Sequence, residues 1–238
     1  MQRTLALAAF FSFAALDLFV KYVNFTVLFC IPLVLLLGSV RNARYVWYYV
    51  GLVVVTVYTV YVLKQLILYG RDPSELLSYR IYNRTVAAIM VALLGVVAQA
   101  WLYWQHERTL LTYLDQDEED EVNATAGVIA CVGLGLLITA VDLFSPNNFN
   151  LPVLSVVPLY LVSWSRSRKA LWTTAVTLIA LLWFGYSMAP PPIETGYDYY
   201  IFINRLLVSL ALVMEAGLLT WQMHCRQRDL GDSNVFSS

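Results

Sequence analysis

The chain has 238 residues, 60% of them hydrophobic and 13% charged, with a mean hydropathy of +0.65. Its apolar runs approach the roughly 20 residues that a bilayer core demands, so the composition is that of an integral membrane protein. A net charge of −1 leaves no basic face to neutralise phosphates and argues against nucleic acid as a partner.

Eight apolar segments follow in chain order, at residues 4–22, 25–40, 45–69, 81–105, 125–145, 149–164, 169–188 and 200–223. The expected fold is therefore all-α, a polytopic membrane protein of about eight transmembrane helices. The second and sixth segments are short and carry Pro32 and Pro158, so each is expected to kink there, with the lost N–H freeing a carbonyl near Leu28 and Leu154.

The first segment, "MQRTLALAAFFSFAALDLF", looks like a signal peptide, with Arg3 ahead of an apolar stretch. Retention is expected instead, because the chain reads as a tandem duplication in which this segment completes the first copy. "ALDLF" at 15–19 returns as "AVDLF" at 140–144, Pro32 as Pro158, "SVRNAR" as "SWSRSRK", and "IYNRTVAAIM" as "FINRLLVSLAL". Asp17 precedes Pro32 by 15 residues and Asp142 precedes Pro158 by 16, and the step onward to Asn83 or Asn204 is 51 or 46. The expected organisation is a four-helix repeat at 1–108, an acidic linker at 109–124, a second four-helix repeat at 125–225 and a short tail at 226–238.

Basic residues set the orientation. With the N-terminus inside, Arg3, Arg41, Arg44, Arg108, Arg166, Arg168, Lys169, Arg226 and Arg228 fall on the cytoplasmic side, against Lys21, Arg71 and Arg80 outside. The expectation is an inner (cytoplasmic) membrane protein with both termini in the cytoplasm, its two copies parallel. Asp17 and Asp142 then lie near the outer ends of the first helices, level with Arg84 and Arg205, which open the fourth helices beside Asn83 and Asn204. An Asp–Arg pair with an adjacent Asn suits a low-dielectric setting. It reads either as a structural clasp between helices or as a polar binding site facing outward.

Glu215 stands near mid-span with no counterpart, since the matching position is Leu94. It is open to three readings: a neutral carboxyl bonded across helices, a ligand contact, or a proton relay. The two histidines, His106 and His224, end the fourth and eighth segments beside tryptophan and tyrosine. They are weak candidates for haem or metal, and interfacial anchoring is their ordinary role. The cysteines Cys30, Cys131 and Cys225 lack CxxC spacing and read as packing residues, so no disulfide framework or zinc site is expected. There is no phosphate-binding glycine loop, HExxH or nucleophile elbow, so catalysis is not expected and no cofactor is required by the sequence. The acidic run "DQDEEDE" reads as a solvated linker or a docking surface.

The second copy resembles the four-helix integral membrane sensor module found in front of bacterial histidine kinases and diguanylate cyclases. Asp142, Pro158, Arg166, Arg168, Pro190, Asn204 and Arg205 carry that resemblance, and Asp17, Pro32, Arg41, Asn83 and Arg84 carry it in the first copy. The resemblance implies sensing or ligand binding. The family pattern usually occurs once, ahead of an output domain, whereas this chain is expected to hold two copies without a kinase or cyclase after them. The expected function is thus a non-catalytic sensing or small-molecule-binding module, set among membrane lipids, that acts through another membrane protein or a separate output protein. The alternative is a structural accessory subunit of a respiratory or photosynthetic complex. A transporter or proton path through Glu215 is the third reading.

Overall fold

A computed structural model describes residues 2–20, 25–38, 40, 42–69, 76–111, 117–145, 151–188 and 197–235. Among them the regular elements are all helical. α1 is Gln2–Phe19 and α2 is Cys30–Gly38, the latter entered through a 3-10 turn at Phe25–Phe29. α3 is Ala43–Lys64, running on into a π-helical turn at Gln65–Tyr69, and α4 is Leu76–Leu111. α5 is Asp117–Phe144 and α6 is Val156–Val162, the latter flanked by 3-10 turns at Leu151–Ser155 and Ser163–Ser165. α7 is Arg168–Met188 and α8 is Tyr197–Val235.

Five helical stretches are long and apolar enough to cross a membrane: Arg44–Ile67, Ile81–Tyr103, Thr125–Phe144, Arg168–Met188 and Ile201–Cys225. Only 22% to 44% of each is buried within the chain, so most of their apolar surface faces outward, as in a membrane protein. Exposed aromatics gather at both ends of the bundle. Tyr45, Trp47, Tyr48, Tyr103, Trp172 and Trp221 mark one end, and Phe19, Phe144, Tyr199 and Phe202 the other. Such belts suit headgroup depth.

The second and sixth apolar segments behave differently. Phe25–Leu37 and Leu151–Ser165 are each about 20 Å long at helical rise, against a bilayer core of about 30 Å. They form the core instead: Thr26 to Leu37 are all buried, as are the residues from Leu151 to Val162 except Leu154 and Leu161. Enclosure explains why irregular backbone is tolerated here, since 3-10 turns within protein do not present polar groups to lipid. Pro32 and Pro158 are each the third residue of their α-helix, in the first turn, where the missing N–H has no intrahelical partner to lose. Rather than kinking one continuous α-helix, each proline stands where a 3-10 turn gives way to α-helix.

Around this core, α1 packs on α2 and α3, and α3 on α4; α5 packs correspondingly on α6 and α7, and α7 on α8. The halves join crosswise, with α2 against α8 and α6 against α4. Glycine permits close approach where long helices cross: a Cβ on Gly135 of α5 would collide with Leu178 of α7, and one on Gly95 of α4 would meet Val50 of α3 at 2.5 Å. α3 and α7 start alike as well. Asn42 Oδ1 accepts the Arg44 N–H at 3.0 Å, and Ser167 Oγ accepts the Ala170 N–H at 3.2 Å, each a side-chain cap.

Two expected boundaries shift. α5 begins at Asp117, inside the expected acidic linker. α8 continues to Val235 through most of the expected tail, because extending a formed helix requires no new nucleation.

Candidate functional site

Asp17 lies three residues from the end of α1 and is fully buried. Its Oδ2 accepts a hydrogen bond from Arg84 near the start of α4, and its Oδ1 faces Lys64 Nζ, the last residue of α3, at 3.5 Å. The same Oδ1 accepts the Phe25 N–H at 3.2 Å, which draws the entry to the second segment back onto α1. One carboxylate therefore ties together α1, α3, α4 and the 3-10 turn before α2.

In the second half, Asp142 near the end of α5 is bonded through Oδ2 to Arg205 near the start of α8, and both are buried. α7 contributes no cation there. It presents Gly185, whose absent side chain would lie 3.1 Å from Thr139 and 3.9 Å from Asp142 Oδ2, so α7 comes close to the pair. Trp183 of α7 donates its indole N–H to Ser209 Oγ at 3.1 Å, and Ser209 donates to the Arg205 carbonyl at 3.0 Å, bracing the backbone behind the arginine. Asn204, half-buried beside Arg205, has a buried Oδ1 with no donor among the described residues. Asn83 occupies the corresponding place beside Arg84 and is also half-buried.

The two ion pairs mark one end of the bundle, where α1, α3, α5 and α7 finish and α4 and α8 begin. At the opposite end Trp101 of α4 meets Trp164 with ring centroids 5.4 Å apart, and Leu37 of α2, Leu102 of α4 and Tyr160 of α6 converge on Leu219, Gln222 and Met223 of α8. Gln222 Nε2 donates to the Val34 carbonyl of α2 at 3.3 Å.

Lys64 escaped the sequence reading. Its signal was present: it is the one charged residue among positions 45–69, at the end of its segment that topology places beside Asp17. Gln99 of α4 accepts the Trp47 indole N–H of α3 at 2.6 Å.

The chain matches no family model, no curated protein and no solved structure. Its chemistry therefore rests on its own side chains. His224 is exposed, with Nδ1 3.2 Å from Arg168 NH2. A guanidinium only donates, so Nδ1 is the acceptor in this contact. The His106 side chain and those of the acidic run lie outside the described residues. Among the described residues no group of three or more His, Cys, Asp or Glu could hold a metal ion. Pro32 and Pro158 lie in the buried core. Glu215 is fully buried in α8, and neither of its oxygens has a hydrogen-bond partner among the described residues.

Proposed function

We propose that this chain is a membrane-embedded sensing or small-molecule-binding module, built as two parallel four-helix repeats, that acts through a protein partner. The observation that carries the reading is the pair of buried Asp–Arg sites. Each joins the first helix of its half to the fourth, and the second has beside it the Asn204 Oδ1 without a donor. A small ligand bearing an N–H or O–H group would supply that donor and bridge α5, α7 and α8. The crosswise packing of α2 on α8 and α6 on α4 supports coupling, because a change in one half bears directly on the core helix of the other. Matched caps at Asn42 and Ser167 and matched prolines at Pro32 and Pro158 support the duplication. The resemblance to the four-helix sensor module points the same way. In this reading the short second and sixth segments cross within the protein shell, giving eight passes, with both termini in the cytoplasm of an inner-membrane protein.

A module of this kind changes a cell only by biasing something that distinguishes its states. Gentle detergent extraction from native membranes is therefore expected to recover the chain in a stoichiometric complex. A separate output protein in that complex supports sensing; a respiratory or photosynthetic assembly supports the accessory-subunit reading. Recovery as a lone chain that keeps its biological activity in liposomes would overturn both.

A further inference from the structure

Glu215 has no exposed surface, and its two oxygens meet no hydrogen-bond donor among the described residues. It lies at the junction of the halves, within electrostatic reach of buried Cys30 on α2. Packing does not require a carboxyl here. Leu94, eleven residues after Asn83 as Glu215 is eleven after Asn204, fills the corresponding position in α4 and is fully buried. A bare carboxylate in such surroundings is heavily penalised, and a bound proton removes that penalty.

A second feature lies on the same face of α8. A cavity of about 40 Å³ lies between the halves, lined by Leu219 and Gln222 of α8, Trp101 of α4, Tyr160 of α6, and Ser163 and Trp164 of the turn after it. That volume has room for about two or three waters. Trp164 Nε1 is buried there with no acceptor among the described residues. Positions 215, 219 and 222 share one face of α8, so Glu215 stands four residues, about 6 Å, deeper than Leu219 on the cavity wall.

We propose that Glu215 is a proton-binding site, loaded from the bundle end that carries Arg168 and His224 through the cavity between Trp164 and Gln222. The ionisable groups on the elements packed against α8 are few. They are Cys30 on α2, Tyr160 on α6, and Arg168, Lys169 and Tyr186 on α7, with none on the 3-10 turns Phe25–Phe29 and Leu151–Ser155. Arg205, already bonded to Asp142, is about 15 Å away along α8. The site is independent of the partner reading above, since binding a proton requires no second protein.

Infrared spectroscopy of the full chain in lipid vesicles reads the carboxylic acid directly. The expected result is an acid carbonyl band at neutral pH that is missing in Glu215→Gln, shifts on transfer to heavy water and is lost reversibly at alkaline pH. No Glu215-dependent acid band at neutral pH, or one that never titrates while the protein stays helical, overturns the site. Filling the cavity with Ser163→Leu is expected to slow deuterium exchange of that band by an order of magnitude. Should that variant lose helicity, Gln222→Met makes the same measurement. Unchanged exchange in a folded cavity variant overturns the route.

Discussion

Asp142 and Arg205, 63 residues apart in the chain, form a buried ion pair that fastens the end of α5 to the start of α8. Its counterpart in the first half, Asp17 with Arg84, does the same for α1 and α4 but adds Lys64 from α3. The two halves thus share a device and differ in its charge.

Removing either partner of the second pair strands a buried charge. Asp142→Ala and Arg205→Ala are each expected to cost roughly 3 to 5 kcal/mol of stability, with the double variant costing much less than the sum. A denaturation double-mutant cycle in detergent measures the coupling, and additive losses would refute a direct energetic link.

Lys64 is a subordinate partner, because Arg84 already bonds the other Asp17 oxygen. Lys64→Met is expected to destabilise by less than Arg84→Met, by about 1 kcal/mol against about 3 or more. Thermal unfolding of the two variants gives the order, and a larger loss for Lys64→Met would reverse the assignment.

Arg166 adopts a left-handed backbone with φ of 55°, between the 3-10 turn Ser163–Ser165 and α7. A β-carbon is strained there, at a cost of roughly 1 to 2 kcal/mol, so Arg166→Gly is expected to raise stability by about 1 kcal/mol. Arg166→Ala serves as the control and is expected to give no gain. Equal melting temperatures for the two variants would contradict the account.

The crossing of α5 and α7 depends on Gly135. Gly135→Val puts bulk against Leu178 and is expected to destabilise by about 1 to 3 kcal/mol. Gly133→Val on the same helix meets nothing within 4 Å and is expected to be nearly neutral. Parallel unfolding curves test the contrast.

Orientation has its own check. A cysteine placed at Glu118 in a background without native cysteines is expected to resist a membrane-impermeant thiol reagent added outside intact cells and to react after permeabilisation. Labelling from outside would invert the topology.

Composition and spacing by themselves determined that this is a helical membrane protein and placed Asp17 and Asp142 at the same level as Arg84 and Arg205. Those properties are local or periodic: hydropathy is summed over a window, and matched residues recur at similar intervals. Only the tertiary structure decided that the two short segments form the core, that the prolines begin their α-helices, and that Lys64 joins Asp17. An apolar run reads the same whether lipid or protein surrounds it, so burial of Thr26 to Leu37 by α8 from the other half left no mark in the run itself. The cavity beside Trp164 and Gln222 is likewise a product of four helices meeting, from residues more than 180 positions apart, and no segment taken alone encodes it.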